Sequence, residues 1–166
     1  MNDVAVSNSG PLIHLAEIYK FDLLRIFRKI YIPRAVYDEV CKFQLPGCQE
    51  LLNADNIFII EVSNDDLLNY IYLKLQQGEL EAIALAKKLG IKLFLTDDLD
   101  AREKATELGL EPHGSVGIIV RAYKLGVINL KDAERAIWDL YKVSSLFISK
   151  EIVKRAIETL RGYTKR

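Results

Sequence analysis

The sequence carries no excess of either charge. Lys and Arg number 23, as do Asp and Glu, so no global basic field advertises a nucleic acid. A nucleic-acid partner would need a local basic patch. The one late excess is Lys150, Lys154, Arg155, Arg161, Lys165 and Arg166, and basic C-terminal segments are often just solvated. No apolar run reaches the roughly 18 residues of a membrane span. Cysteine and histidine are scarce. Cys41 and Cys48 form no CxxC, and His14 and His113 stand far apart, which argues against a structural zinc site. A disulfide across the Pro46-Gly47 turn is geometrically open to the two cysteines. Met1-Asn2-Asp3 lacks the basic start and apolar stretch of a secretory leader. The expectation is therefore a cytoplasmic chain with reduced thiols.

Half of the residues are apolar, enough for a sizeable core, and 166 residues suit one domain. Val4-Ala5-Val6 reads as an opening strand. The turn-rich Ser7-Asn8-Ser9-Gly10-Pro11 leads to a helical turn or two over Leu12 to Ala16, with a second helix from Asp22 to Phe27. Ile30-Tyr31-Ile32 is strand-like and ends at Pro33, whose missing N–H is not needed at a helix entry. Val36 and Val40, four apart, give a helix from Arg34 to Lys42 one buried face. Ile57 to Val62 is a third strand. Ser63 and Asn64 supply cap chemistry for a helix to about Gln76. Gly78 then breaks the chain, and an apolar helix runs from Glu79 to Leu89, where Gly90 stops it.

Ile91 to Leu95 reads as a buried strand, followed by a helix from about Leu99 to Leu108. Leu110-Glu111-Pro112 suits a short edge strand. Gly114 to Gly117 reads as a tight turn into a helix from Ile118 to Leu125. Helices near Leu130 to Tyr141 and Ser149 to Arg161 close the chain. The alternation of strand and helix over residues 1–115 implies a parallel sheet with right-handed crossovers. The expected fold is a three-layer α/β/α sandwich of four or five strands, with extra C-terminal helices over residues 116–166.

Acidic patches follow the strands, and Thr96-Asp97-Asp98-Leu99-Asp100 is the most telling. Open α/β sheets build their sites at the carboxyl ends of strands. Crowded carboxylates repel unless something positive sits among them, and hard oxygen ligands suit Mg²⁺ or Mn²⁺. Four segments converge on that edge: Ser7-Asn8-Ser9, Asp38-Glu39, Glu79 with Glu81, and Asp97-Asp98-Asp100. Glu79 and Glu81 are two apart and do not share a helix face, so one of them is expected in a shared pocket. Each segment also has a plain structural use. Asp97 or Asp98 can cap the next helix, and Asn8 can hydrogen-bond its own turn. Glu79 and Glu81 complement a helix dipole, and Asp38-Glu39 suits a solvated face.

The order and spacing of these segments resemble the PIN-domain pattern across nearly the whole chain. The matching stretches are Val6-Ser7-Asn8-Ser9-Gly10-Pro11-Leu12-Ile13, Pro33 to Val40, Gly78 to Ala86, and Leu93 to Arg102. Pro112-His113-Gly114-Ser115-Val116-Gly117 onward resembles one prokaryotic branch of that family. The resemblance implies a Mg²⁺- or Mn²⁺-dependent single-strand ribonuclease acting on RNA. It also implies a homodimer, and an antitoxin protein as partner where the chain is the toxin of a pair. By position, Asn8, Glu39, Glu79 or Glu81, and Asp98 stand at the family's acids. Asp97 and Asp100 would touch the ion or the groups that hold it. Ser9, Thr96 and Ser115 would bridge to water or phosphate. Arg102 would contact phosphate or, on the preferred reading, pair with Asp98 four residues back.

Asn8 departs from the pattern. It offers one neutral carbonyl oxygen where Asp offers a charge, which should weaken metal binding. The alternative reading is a PIN-like module that binds RNA or protein without catalysis. A receiver-like domain, which also clusters acids at strand ends, ranks third, because the matching positions here hold Asn8 and Ser63-Asn64. The helical segments after the sheet, with Ile118, Ile119, Trp138, Leu140, Tyr141 and Phe147, offer apolar surface for a homodimer.

Overall fold

The computed structural model describes residues 3–164, so the tail residues Lys165 and Arg166 lie outside the described part. Five strands form one sheet: β1 (Val4–Ser7), β2 (Lys29–Pro33), β3 (Ile57–Ile60), β4 (Leu93–Leu95) and β5 (Glu111–His113). Their order is β3-β2-β1-β4-β5, and every neighbouring pair is parallel. A receiver would carry the order 2-1-3-4-5, so that reading is overturned.

The helices in chain order are α1 (Ser9–Glu17), α2 (Arg34–Lys42), α3 (Cys48–Asn53), α4 (Asn64–Leu68), α5 (Gln77–Leu89), α6 (Leu99–Glu107), α7 (Ser115–Lys124), α8 (Leu130–Lys142) and α9 (Lys150–Thr164). Successive strand residues point to opposite faces. Ala5, Ile30, Ile32 and Leu95 pack with α1, α2, α7, α8 and α9. Val6 and Phe94 pack with α4, α5 and α6 on the other face. Covering both faces is what parallel strands demand, and it explains their near-continuous apolar runs. The expected three-layer α/β/α sandwich is the fold.

Several local expectations fail for physical reasons. The helix expected to run to Gln76 stops at Leu68, and a 3₁₀ turn follows at Ile71–Leu73. Leu67 and Leu73 are both buried against α5. Six residues apart, they cannot share one face of a straight helix, so the chain breaks to bury both. Gly78 is no breaker: α5 begins at Gln77, and a Cβ on Gly78 would stand 3.2 Å from Glu39 Oε2. Helix α7 begins at Ser115 with Gly114 as its cap, so Gly117 lies inside it. Helix α3 has no counterpart among the expected elements.

The expected dimer surface is corrected at three of its six residues, while Tyr141 and Phe147 are exposed as expected. Ile118, Ile119 and Leu140 are sealed inside this chain, packed with Ala133, Ile137, Val153 and Leu160 of α8 and α9. The C-terminal helices therefore complete one face of the chain's own core. Each buried Ile or Leu contributes roughly 1.5–3 kcal/mol there.

Cys41 and Cys48 are joined as a disulfide, which corrects the expectation of reduced thiols. The Pro46-Gly47 turn brings their Cα atoms to 4.9 Å, within the range such bonds need. Gly47 makes the turn at φ +105°, and a Cβ there would meet the Leu12 carbonyl oxygen at 2.9 Å. Gly47→Ala should therefore destabilise the fold by about 1–3 kcal/mol, measured by urea denaturation with the disulfide intact. An unchanged midpoint would show that the turn relaxes freely.

Candidate active site at the carboxyl edge of the sheet

The strand order reverses between β1 and β4, because the chain winds outward from β1 through β2 and β3 and then restarts at β4. The two departing chains leave a crevice at the carboxyl ends of those strands. Asn8 follows β1 and Thr96 follows β4, so the crevice is built from exactly the turns that carry the acidic pattern's ends.

Thr96 ties the two walls together. Its fully buried Oγ1 accepts from Asn8 Nδ2 at 2.6 Å and from the Asp98 backbone N–H at 3.2 Å. Asn8 Oδ1 accepts the Gly10 N–H at 3.2 Å, capping α1. That donor fixes which end of the amide faces Thr96. Asp98 Oδ1 accepts the Ala101 N–H at 2.8 Å and caps α6. The structural uses foreseen for Asn8 and Asp98 are thus both real, and neither consumes the second oxygen of Asp98.

Glu79 enters from the first turn of α5 and Glu39 from the last turns of α2. Glycine at position 78 lets α5 approach Glu39 closely. The Glu79 carboxyl is pushed up to about 7, first by burial and then by the charges of Asp98, Glu39 and Asp100, against a backbone hydrogen bond at Gln76 that lowers it. These four acids therefore share one field. Among the described residues no Lys or Arg forms an ion pair with any of them. Glu81 is also buried, and its Oε2 accepts from Gln77 Nε2 at 2.6 Å. Asp38 instead faces solvent near Arg34.

Asp97 turns away from this group. Its Oδ1 accepts the Ser115 N–H at 2.6 Å, and its Oδ2 accepts the Ser115 hydroxyl at 2.6 Å and contacts His14 Nδ1 at 2.7 Å. It is a tether joining β4 to α7 and α1, and it holds Ser115 fully buried. His14 was missed by sequence reasoning. Its only signal was its place one turn into α1, on the side that faces the crevice's back wall. Ser9 opens α1 half-buried beside Asn8. The expected Arg102–Asp98 ion pair does not form among the described residues. Arg102 Nη2 lies instead 3.0 Å from the space a Gly114 Cβ would fill.

Oxygen donors of this kind suit a hard divalent ion, and the field that lifts Glu79 is one that a cation would relieve. As they stand, no three acidic, His or Cys side chains among the described residues close on one point. The donor set fits such an ion in kind.

A doubly wound parallel sheet with a carboxylate cluster at its switch point defines a class of α/β proteins whose sites lie at that crevice. A family model described as a PIN domain matches residues 4–161, and the chain belongs to the PIN-domain family. No curated protein matches the chain.

The raised Glu79 pKa has a consequence for stability. Its folded value of about 7 lies above its ordinary 4.5, so the folded chain holds that proton more tightly than the unfolded chain. The resulting stabilisation is full below pH 4.5 and is lost as the pH rises through about 7. Glu79→Gln removes this titration. In chelator-treated protein at pH 8 it should be more stable than the parent by about 1–2 kcal/mol after discounting for solvent screening. The gain should vanish near pH 4.5. Thermal melts across that range test it, and a gain independent of pH would refute the electrostatic cause.

Proposed function

We propose that the chain is a metal-dependent single-strand ribonuclease of PIN type, acting on RNA. The observation that carries this is the uncompensated field of Glu39, Glu79, Asp98 and Asp100 at the switch-point crevice. Membership of the PIN-domain family supports it. Among the described residues no helix is long and apolar enough to cross a membrane.

Glu39, Glu79 and Asp98 would hold Mg²⁺ or Mn²⁺, with Asp100 at the flank. The ion would supply positive charge against a phosphodiester and favour attack by water. The chain's own residues do the rest. Thr96 fixes the turn through its bonds to Asn8 and Asp98, so the Asp98 carboxylate keeps one orientation. Glu79 is the group in the crevice able to take up or release a proton near neutral pH. Asp97, Ser115 and His14 hold the back wall. Glu81 supports the first turn of α5 through Gln77.

A role as the toxin of a toxin–antitoxin pair, and assembly as a homodimer, belong to the same reading. With Ile118, Ile119 and Leu140 buried, Tyr141 and Phe147 are what remains exposed of the expected surface for a second copy. A strictly monomeric mass at micromolar concentration would remove the homodimer from the proposal.

One observation favours the non-catalytic alternative. Asn8 is a neutral amide that bonds Gly10 and Thr96, and it lends no charge to the cluster. Asn8→Asp should therefore tighten Mn²⁺ binding roughly tenfold, by the 1–2 kcal/mol of an added close charge, and raise RNA cleavage with it. Asp98→Asn should lower both by a similar factor or more. Calorimetry with Mn²⁺ and cleavage of a mixed single-stranded RNA measure the three proteins. If the parent binds no Mn²⁺ and Asn8→Asp gains neither binding nor cleavage, the nuclease is excluded and the binding module stands.

A further inference from the structure

A groove of about 600 Å³ opens beside the acidic crevice, with Asp97, Leu99 and Arg102 at one end and Phe147 and Arg155 at the other. A second hollow of about 490 Å³ continues it past Lys124 and Thr159. The two share His113, Val116, Gly117, Ile152 and Arg155, so they form one channel between α7 and α9. Its charged lining is positive, in a chain whose net charge is zero. Asp97 is the one carboxylate among the lining residues, and its oxygens are taken up by Ser115 and His14.

The cations differ in their freedom. Arg121 is paired with Asp3 and packed over the Phe27 ring. Arg102 and Arg155 form no ion pair among the described residues, and Lys124 lies only over the Tyr163 ring. His113, at the channel's centre, is held below its usual range by burial and then by Arg121 and Arg102, against Glu111. It contributes little charge at neutral pH and leaves the polar work to the three free cations. On the rim, Phe147 is 99% exposed and Leu99 80%. A fully exposed Phe ring has no packing role in the fold. Beside a row of cations it offers a stacking surface for a base.

We infer that this channel is a track for one strand of RNA, with Arg102, Arg155 and Lys124 on its phosphates and Phe147 stacked on a base. A duplex keeps its bases stacked on one another, so a ring platform selects an unpaired strand. The track begins at Asp97 and Leu99, the chain neighbours of Asp98 on either side, though Asp98 itself does not line it. The inference deepens the ribonuclease reading and rests on it for the fate of the strand, though not for its binding.

Binding is measured with the whole chain in EDTA, by fluorescence anisotropy of a labelled single-stranded RNA of about a dozen nucleotides, over a range of salt. Arg155→Ala should lower affinity about fivefold and reduce the salt slope by about 0.7, the value for one lost phosphate contact on a single strand. Arg155→Lys should restore the slope. Phe147→Ala should lower affinity about fivefold or more and leave the slope unchanged. Both side chains lie at the surface, and unchanged melting temperatures would exclude misfolding as the cause. If both alanine variants bind as the parent does, the track is refuted, whether or not Mn²⁺-dependent cleavage is seen. If the parent binds polyglutamate but not RNA, the track is refuted in favour of an acidic protein partner. If RNA binding responds as expected but Mn²⁺ brings no cleavage, the track stands and the nuclease reading falls.

Discussion

The Thr96 hydroxyl holds the site together. It is buried at the one place where neighbouring strands of the sheet send their chains in different directions, and it receives an N–H from each side. A buried hydroxyl that lost either donor would leave that donor unpaired at a cost of roughly 1–3 kcal/mol. The Asn8 side and the Asp98 side are therefore fixed relative to each other. Everything that makes the crevice chemical is hung from that join. Asp98 caps α6 from it, Asp97 is aimed backward from it onto Ser115, and α5 carries Glu79 toward it.

What this arrangement brings together repels itself. Burial first, and then the charges of Asp98, Glu39 and Asp100, raise the proton affinity of Glu79. The fold tolerates the crowding because each acid sits on an element secured elsewhere. Helix α5 is anchored by Ile83, Ala84, Leu85 and Ala86, and α2 by Val36 and Val40, all buried in the core. Apolar packing thus holds charges at a separation they would not choose. Such strain is characteristic of sites that await a partner of opposite charge.

Much of this was legible in the sequence. Parallel strands must deliver the residues after them to one edge, so strand positions alone bring Asn8, Asp98 and the N-terminus of α5 together. The less legible parts depend on contacts far apart in the chain. Nothing local says that Asp97 rather than Asp98 turns to Ser115, because that choice is made by α7 eighteen residues on. His14 looked isolated for the same reason. Gly78 looked like a breaker because its reason for being glycine, the side chain of Glu39, lies on another helix. The break after Leu68 follows from where Leu73 must be buried, and helical propensity gives no hint of it. Ile118, Ile119 and Leu140 read as spare apolar surface only while α8 and α9 had no assigned place.

Asn8 is where sequence and structure must be weighed together. In sequence it is a lost charge. In the structure it is a satisfied cap whose amide donates to Thr96, an orientation the Gly10 N–H imposes. A carboxylate in the same place could keep the Gly10 bond with one oxygen, but the other would accept where Asn8 now donates. Thr96 would then have to turn its own proton toward position 8 while still accepting from Asp98. Hydroxyls can donate and accept at once, so the join can survive that exchange. The neutral residue is therefore not forced by the fold. It lowers the negative charge of a crevice already crowded enough to hold a proton on Glu79 near pH 7. On the metal-dependent reading proposed above, Asn8 would trade cation affinity for ease of standing without a cation, and Glu39, Glu79 and Asp98 would set how much affinity is left.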